Sequence, residues 1–175
     1  MNKEEKITIY WTLLTYQQWN IYVAATEKGL CFTGALNEPF EEVAQWAERN
    51  YPGSLLVEDA ERLQPYIAEL TEYLKGKRTG FTILSDCKGT EFQRAVWQAL
   101  CEIPYGETKT YSDIAKKINK PKAVRAVGAA IGKNPVMITV PCHRVIGKNG
   151  ALTGFRGGLD MKKMLLNLEQ QNRLN

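Results

Sequence analysis

A chain of 175 residues, 44% hydrophobic and 24% charged, is long enough to bury one sizeable core or two small ones and has the composition of an ordinary globular protein. No run approaches the ~18 to 20 consecutive apolar residues of a membrane span, and Met1-Asn2-Lys3-Glu4-Glu5 is not followed by the apolar core of a signal peptide, so no membrane association and a cytoplasmic location are expected. The formal charge of +4 conceals a segregation: residues 1–83 carry 8 Lys+Arg against 12 Asp+Glu (−4) and residues 84–175 carry 15 against 7 (+8), which suits a polyanionic partner or, more blandly, a solvated basic face.

Residues 7–14, 19–25 and 30–33 are rich in β-branched and aromatic side chains and are separated by short polar or glycine-bearing turns, the pattern of an antiparallel meander. Phe40, Val43, Ala44 and Ala47 then recur at helical spacing. After the break at Tyr51-Pro52-Gly53 a second helix carries Ile67, Leu70 and Leu74, and Phe81 to Leu84 reads as one more strand. This half shows no catalytic constellation, its Trp11, Trp19 and Trp46 read as core, and its expected role is to brace the other half. Asp86, Lys88 and Gly89 interrupt the apolar pattern, giving a domain of residues 1–84 and a second of residues 85–175.

Thr90-Glu91-Phe92-Gln93 fits a capping box, and Phe92, Ala95, Val96, Ala99 and Leu100 follow as one helical stripe ended by Pro104-Tyr105-Gly106. Thr110 caps a short helix with Ile114, Ala115 and Ile118 inward. Asn119-Lys120 makes a tight turn and Pro121 stands at the first position of the next helix. On that helix Val124, Val127 and Ile131 share one face, whereas Lys122, Arg125, Ala126 and Ala129 share the other. Small residues around one arginine let a helix approach closely, which suits a narrow groove. Gly132 to Pro135 ends the helix, Gly147 to Gly150 is a turn, Thr153 to Gly158 is a glycine-rich loop, and Asp160 caps a last helix with Met161, Met164, Leu165 and Leu168 inward.

Between these elements Val140-Pro141-Cys142-His143-Arg144-Val145 sets the only histidine beside one of four cysteines, among β-branched residues that read as strand. The thiolate is the nucleophilic form and is scarce at neutral pH, so a base or positive neighbour is needed; His143 and Arg144 are at hand, and Glu169 on the last helix could orient His143. The alternative is an inert buried cysteine beside a core histidine. Cys31, Cys87 and Cys101 read as packing residues. With no C-x-x-C spacing and a single histidine, no metal site is expected, and a disulfide framework does not fit a reducing compartment.

The Pro-Cys-His-Arg-Val run, with the helix-turn-helix upstream and the glycine-rich loop downstream, closely resembles the O6-alkylguanine-DNA alkyltransferases over about Thr90 to Glu169. The resemblance implies an α/β (α+β) fold: a ribonuclease H-like strand-and-helix domain, then a mainly helical, winged-helix-like domain with a minor-groove helix-turn-helix. It implies direct-reversal repair, in which O6-alkylguanine, and O4-alkylthymine as a further candidate, is flipped out of duplex DNA and its alkyl group passes irreversibly to Cys142. By the same resemblance His143 is the base acting through a water, Glu169 orients it, and Asn134 is the hinge to the cysteine turn. Arg125 fills the vacated stack, Tyr111 crowds the phosphate and contacts the flipped base, and Ala126, Gly128 and Ala129 lie in the groove. Val145 offers its carbonyl to the exocyclic amine, the Arg156 backbone N–H donates to the base, and Gly157 leaves the alkyl pocket open. Phe155 replaces the tyrosine of many members and keeps only the stacking. A monomer without cofactor is implied.

Two other classes use similar parts. A helix-turn-helix regulator would display polar side chains toward base edges where this helix displays alanines, and a papain-like hydrolase would bring its histidine from a distant segment.

Overall fold

Residues 5–173 are described by a computed structural model. Four strands form an open sheet: β1 (Thr8–Tyr16), β2 (Trp19–Ala25), β3 (Leu30–Thr33) and β4 (Leu55–Glu58), in the order β3-β2-β1-β4. The expected antiparallel meander is present, with Tyr16 opposite Trp19 across the first hairpin. The fourth strand, parallel to β1, has no counterpart in the sequence reading: Leu55 to Glu58 is a short edge strand, mostly exposed, with no alternation to reveal it. Conversely, Phe81 to Leu84 is not a strand. It runs irregularly, Leu84 is exposed, and only Ser85 bridges to Leu30.

Each face of the sheet takes one helix. Helix α1 (Glu41–Asn50) lays Val43 and Ala47 over Ile9, Ala24 and Phe32 in a small cluster. Helix α2 (Ala60–Leu74) starts at Asp59, whose side chain accepts from the Arg62 N–H, and covers the opposite face with Leu63, Leu70 and Tyr73. That second cluster does not stop at the sheet. Leu14, Ile21 and Val23 share it with Val96, Leu100, Ile114, Val127 and Leu165 from the helical half, so one core runs through both parts of the chain. Each such aliphatic side chain, once fully buried, contributes roughly 1.5 to 3 kcal/mol.

The helical half comprises α3 (Glu91–Cys101), α4 (Tyr111–Lys117), α5 (Val124–Gly132) and α6 (Leu159–Arg173), with a two-stranded parallel sheet of β5 (Lys109–Thr110) and β6 (Val145–Ile146). Thr90 and Gln93 close the expected capping box, and Thr110 closes a second one with Asp113. The buried stripe of α3 is Val96, Trp97, Ala99 and Leu100. Ala95 is exposed, and Trp97 takes the inner place because its indole N–H donates to the Ala130 carbonyl at 2.9 Å, joining α3 to α5.

Asn119, at φ +61°, makes the tight turn after α4. Helix α5 then begins at Val124 rather than at Pro121, so Pro121 and Lys122 belong to the turn and Lys122 is not on the outer helical face. Helix α6 begins one residue before Asp160, which sits in its first turn and does not cap it. Cys31 is buried as expected and Cys87 half-buried, but Cys101, the last residue of α3, is exposed.

Candidate active site

Cys142 does not continue a strand. Met137 bridges to Val140, Ile138 takes φ +77°, and Cys142–Arg144 form one turn of 3-10 helix that leads into β6. The β-branched run from Val136 misled the strand reading because its residues are buried by packing on all sides, a condition that periodicity does not separate from a strand. The tight turn places successive side chains on different sides: Cys142 toward the end of α5, His143 and Arg144 toward α6.

Asn134 holds the sulfur. It is fully buried just after α5, and its amide nitrogen donates both to Cys142 Sγ at 3.2 Å and to the Val140 carbonyl at 2.9 Å, while its Oδ1 accepts from the Val136 N–H at 3.0 Å. The end of α5 and the cysteine turn are thereby one piece. Burial pushes the Cys142 thiol up, opposed by the Asn134 hydrogen bond and then by the charges of Arg156 and Lys162. A thiol in that balance is neutral at pH 7 and needs a base before it can attack.

His143 Nε2 lies 2.6 Å from Glu169 Oε2, with both side chains buried. A carboxylate only accepts, so Nε2 carries the proton and Nδ1 keeps the lone pair; Nδ1 has no protein partner among the described residues. Burial holds the imidazole below its usual pKa, against the opposing pull of Glu169. Burial alone would raise Glu169, but hydrogen bonds from His143 and Arg144 outweigh it and bring its carboxyl down to about 2. Arg144 grips both carboxylate oxygens, Nε to Oε1 at 2.8 Å and Nη2 to Oε2 at 3.0 Å, and the Gly106 N–H adds a bond to Oε1 at 3.0 Å. The site thus offers a neutral base with an anchored anion behind it and, on the preceding residue of the same turn, a thiol.

The other expected residues lie on α4, on α5 and in the glycine-rich loop. Arg125, Ala126 and Ala129 stand exposed on α5, and Gly128 faces the ring of Tyr111, whose nearest atom would lie 3.8 Å from an added Cβ. Tyr111 opens α4, its hydroxyl is 2.6 Å from Thr153 Oγ1, and it borders a surface cavity of about 340 Å³ with Thr110, Ser112, Val124 and Lys148. Gly157 is constrained by space rather than by dihedral: a Cβ there would come within 2.5 Å of Met161 Sδ and 2.9 Å of Phe155, whereas the neighbouring Gly158 has φ +91°.

Three features lay outside the sequence reading. The Val145 carbonyl already accepts from Lys162 Nζ at 2.6 Å, and this buried lysine also reaches the Thr153 carbonyl at 3.2 Å, tying α6 to the glycine-rich loop. The Arg156 side chain donates to the carbonyls of Thr33 at 2.7 Å, Asn134 at 3.0 Å and Pro135 at 3.1 Å, linking β3 to the Asn134 segment. Tyr73 of α2 donates its hydroxyl to Glu169 Oε2. Buried cations and a tyrosine that bond to carbonyls or to distant carboxylates leave no local spacing in the sequence.

Comparison with known proteins assigns both halves. A family model described as 6-O-methylguanine DNA methyltransferase, ribonuclease-like domain, matches residues 9–85, and one described as 6-O-methylguanine DNA methyltransferase, DNA binding domain, matches residues 91–171. The chain is 64% identical to an inducible methylated-DNA–protein-cysteine methyltransferase of Bacillus subtilis over 95% of its own length and 93% of the relative's. A methylated-DNA–protein-cysteine methyltransferase of Methanosarcina barkeri is 42% identical, covering 94% and 99%. Among solved structures, the O6-methylguanine methyltransferase of Mycobacterium tuberculosis superposes with a TM-score of 0.81 at 36% identity over 94% of each chain. A structure of the enzyme from that organism in complex with DNA gives 0.80 at 36% identity, covering 93% of this chain and 94% of the other.

Proposed function

The chain belongs to the 6-O-methylguanine DNA methyltransferase family, and from that premise we propose how its residues carry out direct-reversal repair. The protein binds DNA and transfers the alkyl group of O6-alkylguanine to its own cysteine. Cys142 is the acceptor, and the carrying observation is its sulfur held by the Asn134 amide at 3.2 Å in the same turn that seats His143 on Glu169.

The steps follow from the chemistry of these groups. The target base lies inside the stack and must be extruded at a cost of a few kcal/mol. Arg125, exposed on α5 among Ala126, Ala129 and Gly128, is placed to fill the gap from the minor groove, and the low profile of those residues supports that approach. His143 Nδ1 takes the thiol proton through a water, and Glu169 stabilises the imidazolium that forms. The thiolate attacks the O-alkyl carbon, the S–C bond forms as the C–O bond breaks, and the guanine leaves after taking a proton from a donor at its ring. Tyr111 is that proton donor, its own proton being replaced from solvent, the Arg156 backbone N–H donates a hydrogen bond to the base, Phe155 stacks on it, Gly157 borders the alkyl group, and the Val145 carbonyl reads the exocyclic amine with the lone pair that Lys162 leaves free. The thioether product has no group here to hydrolyse it, so each molecule acts once.

No helix among the described residues is long and apolar enough to cross a membrane. A monomer dividing near residues 84 and 85 and acting in the cytoplasm completes the proposal; the four free cysteines suit a reducing compartment. Titrating the protein into excess duplex containing O6-methylguanine tests it. Lesion loss should plateau at one per protein molecule, and continued turnover or no loss would overturn it.

A further inference from the structure

We propose that Tyr73 is a positioning residue of the alkyl-transfer relay, so that the sheet domain supplies part of the acid–base apparatus rather than only a support. Tyr73 is fully buried on α2, at the carboxyl end of the helix, and its hydroxyl donates to Glu169 Oε2. That is the same oxygen that takes the His143 Nε2 proton at 2.6 Å, and the Tyr73 hydroxyl lies 3.4 Å from Nε2 itself. No other side chain of residues 5–84 bonds to the Cys142, His143 or Glu169 side chains among the described residues.

The arrangement has a chemical consequence. A carboxylate oxygen that accepts from two donors gives less of its charge to each, so the Tyr73 hydroxyl limits how strongly Glu169 holds a proton on His143. A base that must take the thiol proton and later release it works best when it is neutral before the attack. The groups that face this pair from every side are Glu169 and Lys162 on α6, Arg144 on the cysteine turn and Tyr73 on α2, with Tyr105, after α3, packed edge-on against the Tyr73 ring. Arg144 and Lys162 disfavour the imidazolium and Glu169 favours it; Tyr73 is the neutral member that moderates Glu169. The phenol stays protonated, being pushed well above its usual range by burial and by Glu169.

This inference rests on the reading of His143 as the base, and its test separates the two. The chain has one histidine, so its ring resonances report the site without assignment. Tyr73→Phe removes the hydroxyl and keeps the ring that packs on Phe81 and Tyr105. The His143 titration should move to higher pH, the acid limb of single-turnover methyl transfer should move with it, and the rate at neutral pH should fall by about three- to ten-fold. Leu63→Ala, a buried change on the same helix away from the relay, should lower thermal stability and leave both limbs in place. A fluorotyrosine at position 73, the stronger donor, should move the His143 titration to lower pH and covers the case in which Tyr73→Phe folds poorly. If neither substitution moves the His143 titration, Tyr73 serves packing alone and the inference fails. If the titration moves while the transfer profile does not follow it, the reading of His143 as the base fails instead.

Discussion

The amide nitrogen of Asn134 donates to the sulfur of Cys142 at 3.2 Å, and through the same side chain the last residues of α5 are fastened to the cysteine turn. Asn134 therefore does two jobs that a substitution would separate. Asn134→Ala leaves the Val136 N–H buried without a partner, at about 1 to 3 kcal/mol, and takes from the Val140 carbonyl one of its two donors, the Cys142 N–H at 2.8 Å remaining. It also removes the hydrogen bond that most lowers the Cys142 thiol, so transfer at neutral pH should fall by about 10- to 100-fold, the worth of a hydrogen bond to a charged group. Single-turnover rates across pH check this, because the lost rate should return in part as the pH rises.

Acid should unfold the protein in two stages. His143 is buried neutral with its pKa below 6.5, so the unfolded chain takes up the proton first and stability declines as the pH drops through that value. Glu169, lowered from 4.5 to about 2, adds stability that is fully present above 4.5 and is lost between 4.5 and 2. Urea midpoints measured across this range should show both slopes. Glu169→Gln should flatten the lower one and, by leaving Arg144 buried without its counter-charge, cost roughly 3 to 5 kcal/mol near neutrality.

Arg125→Ala should slow repair of duplex DNA far more than reaction with free O6-benzylguanine, since only the duplex leaves a gap to be filled. Equal losses on both substrates would place Arg125 outside the flipping step. A lone phosphate contact would appear instead as a weaker dependence of binding on salt.

In the proposed mechanism Gly157 sets the width of the alkyl pocket. Wild-type protein should accept O6-benzylguanine, whereas Gly157→Trp should keep methyl transfer and lose the benzyl reaction. The indole must displace the Met161 thioether, which lies 2.5 Å from the position of an added Cβ, so a lowered melting temperature is expected as well. Combining Gly157→Trp with Met161→Ala should recover part of that stability without restoring the benzyl reaction. Benzyl transfer by Gly157→Trp would show that other residues set the width.

What the sequence revealed and what it hid follow from the range of the interactions. The capping boxes at Thr90 and Thr110 span three residues and are written in the chain, as are the stripe of α5 and the adjacency of Cys142 and His143. Glu169 was within reach because its helix has a regular period. Edge strand β4 was hidden because its partners in β1 lie 47 residues away in sequence and all its side chains but Leu56 face water on an exposed rim. The 3-10 turn at Cys142 was hidden because a residue packed on every side looks alike in a turn and in a strand. Tyr73, Lys162 and the side-chain contacts of Arg156, whose backbone N–H alone was expected in the site, were hidden for a third reason: each reaches its partner across a boundary between elements, so nothing near it in sequence announces the contact.

Intact-mass measurement followed by peptide mapping, after the protein is mixed with duplex DNA carrying O6-methylguanine, bears most directly on the central claim. A gain of one methyl group per molecule, confined to the peptide that contains Cys142 and absent from Cys142→Ala, is the expected result. An unchanged mass while the lesion disappears, or a methyl group found on Cys31, Cys87 or Cys101, would contradict Cys142 as the acceptor.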